Sequence, residues 1–169
     1  GVPSGYETAP VYSTSGLNVA LATAPMKLVL MPYAEVEFIR AEAAQRGVIS
    51  TSEAAPAYER GVKAAIEQWG LTMPANYFNN EATRYDGTLA RIMLQKYYSL
   101  FFCDQQQWCE YLRTGLPEIP RGDGVPASNK MPQRLMYPLS VQRSNLTHYK
   151  EAVANMGGDS FDLKLFWQK

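Results

Sequence analysis

Nothing constrains this chain more than the punctuation of its stretch from Met31 to Gly70, MPYAEVEFIRAEAAQRG followed by VISTSEAAPAYERGVKAAIEQWG. Pro32 suits a first helical position, because its missing N–H has no intrahelical partner there and its φ is already near-helical. Glu35 and Glu37 put negative charge at the positive end of the helix dipole, and Arg46 puts positive charge at the other end. Gly47 accepts the left-handed conformation that closes a helix. Between these limits Ala34, Phe38, Ala41 and Gln45 share one face, beside Tyr33, Glu37 and Ala44, which makes a narrow stripe rich in alanine. Ser50 and Glu53 have capping-box spacing, but Pro56 cannot sit deep in a regular helix, so the second helix is predicted to begin at Pro56. Tyr58, Val62, Ala65, Ile66 and Trp69 then recur at spacings of three and four and form its buried face, and Gly70 ends it. Gly61 sits mid-helix at about 1 kcal/mol against alanine, which predicts a neighbouring backbone crossing there. Two antiparallel helices of this size, with alanine and glycine at the crossing, form a unit similar to that of a tetratricopeptide array.

The rest of the chain supplies a second helical pair and long loops. Residues 1–31 read as a polar leading loop with a short apolar run, Met26 to Met31, at its end. Residues 71–88 form a connection rich in asparagine and aromatics. Asp86 or Thr88 caps a strong helix in which Leu89, Ile92, Met93, Lys96, Tyr97, Leu100 and Phe101 follow helical spacing while Leu94, Tyr98 and Phe102 occupy other faces. A helix apolar on most sides is expected to be buried between layers. Asp104 and Gln107 give the following helix a capping-box start, Trp108, Tyr111 and Leu112 face inward, and Gly115 ends it, so 89–115 is predicted to be a second hairpin. Residues 116–139 are a proline-rich loop. Within it Arg121-Gly122-Asp123 reads as turn chemistry rather than an adhesion signal. Residues 140–169 hold a short turn of helix, a helix headed by Asn145 with Tyr149, Ala152 and Val153 inward, and a tail whose Phe161, Leu163, Leu165, Phe166 and Trp167 are expected to dock on the helices.

Composition narrows the functional classes. One domain with a real core fits 169 residues, and 16 basic against 16 acidic residues leave no bulk attraction to nucleic acid or anionic lipid. No run of apolar residues is long enough to span a bilayer. Cys103 and Cys109, placed on or beside one helix, have α-carbons about 9 Å apart from the helical rise, too far for a disulfide, and read as free thiols. Two cysteines and the lone His148 are too few for a zinc site, and Asp159 and Asp162 lack the further ligands of a calcium loop, so turn and cap roles fit them better. His148 is expected at a helix surface. No metal or other cofactor is implied.

Tyr77, Phe78 and Tyr85, interleaved with Asn79, Asn80 and Arg84, have the chemistry of a sugar or peptide site: flat apolar faces for stacking among amide and guanidinium groups. The competing reading has these rings pin a long loop to the helices. Nucleophile elbows and phosphate-cradling glycine loops are absent, and Glu35, Glu37, Glu42, Glu53 and Glu59 are placed as helix caps and solvated charges, so catalysis is not expected. Three functional classes follow: a non-catalytic binding protein, a helical protein-interaction scaffold without small ligands, and, least favoured, a glycoside hydrolase.

In order along the chain, Tyr33-Ala-Glu-Val, Glu42-Ala, Gln95-Lys96, Trp108-x-Glu110 with Arg113-Thr-Gly115, Arg134-Leu-x-Tyr137-Pro138, and Gly157-Gly158-Asp159 with Trp167 resemble the C-terminal portion of SusD-like, or RagB-like, nutrient-binding lipoproteins of Bacteroidetes. Where such proteins often carry two arginines before Thr-Gly, this chain has Leu112-Arg113. The resemblance implies an all-α fold, a SusD-like superhelix of tetratricopeptide-like hairpins with long irregular loops. It also implies binding of oligosaccharides or peptides without chemistry, for delivery to a SusC-type TonB-dependent transporter. Location at the outer-membrane surface follows, through a lipid anchor in an upstream region. The abrupt start at Gly1 fits the final third of such a protein, with the N-terminal remainder packed against it.

Overall fold

The computed structural model describes residues 11–16, 18–21, 23, 25, 28–122 and 124–168. Much of the leading loop, part of the apolar run before Met31, and Asp123 lie outside them. The described residues contain helices and no strand: α1 (Tyr33–Gln45), α2 (Ala54–Glu67), α3 (Leu89–Ser99), α4 (Gln106–Thr114), α5 (Leu139–Ser144) and α6 (Leu146–Met156), with 3-10 turns at Val19–Leu21, Thr51–Glu53 and Tyr77–Asn79. The chain divides into two compact units, residues 17–119 and a second containing residues 120–169.

In the first unit α1 and α2 lie side by side, as the stops and starts of their sequences require. Pro32 stands just before α1 in an extended conformation, one position earlier than predicted, and Gly47 is left-handed as expected. The capping box at Ser50 does not form. Its hydroxyl meets Ser52 Oγ at 2.8 Å, and a 3-10 turn carries the chain into α2 two residues before Pro56. Pro56 is harmless at the third position, where an N–H has no intrahelical acceptor to lose.

Ala34, Phe38 and Ala41 of α1, Ala57, Tyr58 and Val62 of α2, and Ile92 and Met93 of α3 make the core. Phe38 and Tyr58 meet edge to face, 6.1 Å apart at 73°. A Cβ at Gly61 would stand 3.1 Å from the Phe38 ring, so the close approach there is by an aromatic side chain and not by the backbone predicted.

Thr88 caps α3 through its hydroxyl, which accepts from Arg91 N at 3.1 Å, and Asp86 accepts from Thr88 N at 2.9 Å. The helix is not buried on most sides. It ends at Ser99, and Tyr98 and Phe101 remain 58% and 41% exposed. Asp104 does not cap α4, because it is itself left-handed, and Gln107 instead donates to Tyr97 O at 2.7 Å. Trp108, Tyr111 and Leu112 are half-buried. Within the expected second hairpin, α3 lies against α1 and α2, while side chains tie α4 to the stack.

Those ties reveal the largest departure from expectation. Glu37 and Glu42, read as solvated charges, are buried. Glu37 accepts from Arg60 at 2.9 Å and Tyr33 Oη at 2.6 Å. Glu42 is gripped by both terminal nitrogens of Arg113, at 2.8 and 2.7 Å, and by Arg46 Nε at 2.9 Å. Arg113 also reaches Glu110 at 2.7 Å, Glu110 reaches the buried Lys96 at 3.0 Å, and Lys96 stands 3.7 Å from Glu35. Three cations and three carboxylates thus alternate from α1 to α4 to α3, which is how buried charge is tolerated.

In the second unit Asp159 is a buried hub rather than a turn residue. It accepts from Arg134 Nη1 at 2.7 Å, Tyr137 N at 3.3 Å and Tyr149 Oη at 3.2 Å, and the Tyr137 and Tyr149 rings cross at 89°. The tail is held through Gln133, whose N–H donates to Phe161 O at 2.7 Å and whose carbonyl accepts from Gln168 Nε2 at 2.8 Å. Its side chains dock only in part: Leu163 and Leu165 are half-buried, Phe161 and Trp167 remain 48% and 44% exposed, and Phe166 is fully exposed. His148 lies at the surface beside Glu151, as expected.

Candidate functional site

The end of α2, the chain that leaves it and the end of α3 enclose an open cleft of about 560 Å³. Helical spacing delivers Val62, Ala65 and Ile66 to its floor. Gly70 then turns the chain left-handed, setting Trp69 and Leu71 at one rim. Tyr97, Tyr98, Phe101 and Tyr77 complete an aromatic lining, with polar groups from Gln95, Ser99 and Gln107 among them. No residue of that lining is charged. Ser99 Oγ is committed to Lys96 O at 2.7 Å and Gln107 Nε2 to Tyr97 O, so part of the polar edge is fixed in place by the helices themselves. Flat rings, phenol hydroxyls and amides without a net charge suit a neutral, hydroxyl-rich ligand that stacks and hydrogen-bonds.

Of the six residues the sequence singled out, Tyr77 alone lines this cleft. Tyr77 meets Phe78 edge to face at 5.5 Å, and Phe78 and Tyr85 lie 6.2 and 5.3 Å from the buried Tyr58, so the structure gathers the three rings on the core. Tyr58 Oη donates to Thr83 O at 2.5 Å and Tyr85 Oη to Gln45 Oε1, which fastens the loop to α2 and α1. Burial pushes the Tyr85 phenol up, and Asp86 adds to it. Asn79, Asn80 and Arg84 are exposed on the same loop. The Asn80 side chain accepts from Ala82 N at 2.9 Å and its carbonyl takes Thr83 N and Arg84 N, which is turn chemistry. Phe78 borders a separate depression of about 320 Å³ with Arg60, Lys63 and Met73.

Trp69, Tyr97, Tyr98 and Phe101 were read only as helix-face residues. One signal was available: the run YYSLFF places more rings around α3 than a single buried face absorbs.

The buried carboxylates Glu37 and Glu42 do not have the raised pKa of a general acid. Burial pushes Glu42 up, but the hydrogen bonds and charge of Arg113 and Arg46 outweigh it and hold the carboxyl below its ordinary value. Glu37 follows the same pattern, with Tyr33 and Arg60 opposing burial. A general acid needs the opposite shift.

A family model described as SusD-like, "Starch-binding associating with outer membrane", matches residues 1–138. A solved structure titled "Bacteroidetes AC2a SusD-like" superposes with a TM-score of 0.72 at 26% identity, over 84% of this chain and 30% of that one. A chitin-binding protein superposes with a TM-score of 0.66 at 28% identity, over 81% of this chain and 32% of that one. The chain therefore spans about a third of the length of either structure. A search of curated proteins gave no match.

Proposed function

This chain belongs to the SusD-like family, and from that premise we propose that it forms part of a non-catalytic carbohydrate-binding protein at the outer-membrane surface. The observation that carries the reading is the uncharged aromatic and amide lining of the cleft at Trp69, Tyr77, Tyr97, Tyr98 and Phe101. Sugar rings present apolar C–H faces to such side chains and hydroxyls to the amides between them. The chitin-binding neighbour supports a glycan over a peptide. The exposed Asn79, Asn80 and Arg84 extend the contact surface, and Phe78 and Tyr85 hold their loop to the core. Delivery to a SusC-type TonB-dependent transporter and a lipid anchor in an upstream region complete the proposal on family grounds.

A second reading, a scaffold for another protein, draws on the exposed Leu28, Leu30, Met31, Val36 and Ile39. We assign that surface to the N-terminal remainder of the same protein, since the chain spans about a third of the structures it resembles.

Calorimetric titration of the full-length protein with malto- and chito-oligosaccharides tests the binding claim. Trp69→Ala and Tyr98→Ala should each weaken binding about fivefold to tenfold, from roughly 1–1.5 kcal/mol per aromatic platform. Unchanged affinity in both variants removes the cleft from the reading. Release of reducing ends from the same sugars would restore the hydrolase, and recovery of a barrel transporter from solubilised membranes tests the delivery step.

A further inference from the structure

The corner that follows α3 is built in an unusual way. Phe102 has φ +64° and Asp104 φ +50°, so two non-glycine residues within three positions are left-handed. The Cβ of an L-residue crowds its carbonyl in that region, and a bulky aromatic there is held by its surroundings. Bonds from Phe101 N to Tyr98 O at 3.2 Å, Cys103 N to Leu100 O at 3.0 Å and Gln106 N to Cys103 O at 3.2 Å close the corner. Glycine would make the same turn without strain. What glycine lacks is the ring. The Phe102 ring stands 4.6 Å from Phe101 at 89° and 6.1 Å from Trp69 at 64°, while Trp69 and Phe101 stand 6.3 Å apart at 62°. Trp69 and Phe101 line the cleft; Phe102 does not, and borders instead a cavity of about 580 Å³ beside Leu28, Leu30 and Cys103.

We infer that Phe102 is a positioning residue for carbohydrate binding, holding the Trp69 and Phe101 rings at a fixed inclination so that the cleft meets its ligand already ordered. This rests on the proposed role of the cleft. The strained backbone is retained because it aims a ring at both cleft aromatics from outside the ligand's reach. A residue needed only to turn the chain behaves differently: its replacement by glycine relieves strain and leaves binding alone.

The test uses the full-length protein labelled with 5-fluorotryptophan, with the Trp69 signal assigned from Trp69→Phe. Maltoheptaose and chitohexaose are the titrants. Phe102→Gly should shift the melting temperature little, because relief of the left-handed strain offsets the lost ring contacts, broaden or split the Trp69 fluorine signal, and weaken binding of whichever titrant the wild type takes about tenfold. Phe102→Tyr should restore both. A sharp, unshifted Trp69 signal in Phe102→Gly, or wild-type affinity in that variant beside a weakened Trp69→Ala, overturns the inference. If Trp69→Ala binds normally or neither sugar binds, the cleft reading fails, and the fluorine signal still decides whether Phe102 positions Trp69.

Discussion

Replacing Arg113 by methionine removes the most heavily used cation of the buried network and keeps most of its apolar length. Glu42 is only 7% exposed and loses two charge-assisted hydrogen bonds, at 2.8 and 2.7 Å, while Arg46 at 2.9 Å remains. Removing one partner of a fully buried pair costs about 3–5 kcal/mol, and a surface pair contributes roughly 0–1 kcal/mol. The remaining Arg46 and the 40% exposure of the Arg113 side chain, which lets water approach, place this case between the two limits, at about 2 kcal/mol. For a chain of this size that corresponds to a fall in Tm of roughly 4–8 °C. The sign with pH follows from the carboxylates. Glu42 and Glu110 are held below their ordinary values by arginine and lysine, against burial. Their stabilisation is therefore complete above the unfolded value of about 4.3 and is lost as pH falls through the lower folded values. Urea unfolding followed by helical circular dichroism should show a gap between wild type and Arg113→Met at pH 7 that closes in acid below about pH 4. Glu42→Gln with Arg113→Met should cost less than the sum of the two single changes. A loss under about 0.5 kcal/mol at pH 7, or a gap of equal size at pH 3, refutes the claim that this network joins α4 to the stack.

Gly61→Ala gains about 1 kcal/mol in helix propensity but sets a methyl 3.1 Å from the fully buried Phe38 ring, where overpacking costs about 1–3 kcal/mol. A net loss near 1 kcal/mol is expected in thermal unfolding, and a gain would show that the ring can move aside. Asp159→Asn should cost about 3 kcal/mol by stranding the buried Arg134 guanidinium. Hydrogen exchange is the measurement, with faster exchange expected over 134–160; unchanged protection there removes Asp159 as the hub. Among the loop aromatics, Phe78→Ala and Tyr85→Ala should each lower stability by about 1–3 kcal/mol through lost contact with Tyr58, whereas Tyr77→Ala should chiefly lower sugar affinity. The reverse pattern would move the ligand from the cleft to the 71–88 loop.

The elements that were readable in advance are those governed by neighbours in the chain. Gly47 and Gly115 stop α1 and α4, and Thr88 starts α3, because a cap is satisfied within one turn of the helix. The same local logic failed at Ser50 and Asp104, where cap residues were present but the backbone took another course. Residues carrying the family resemblance were also visible, yet their work was not. Glu35, Glu42, Lys96, Glu110 and Arg113 look like surface charges one at a time and together form an alternating network around the buried Glu42 and Lys96.

What this sequence determined by itself is the all-helical class and the local signals at Gly47, Thr88 and Gly115, since periodicity and capping act over three or four residues. Which carboxylates are buried, which rings line the cleft and the left-handed turn at Phe102 were decided only by tertiary structure. Glu42 meets Arg113 across 71 positions and Tyr58 reaches Thr83 across 25, and pairings at such separations exist only once the helices have packed.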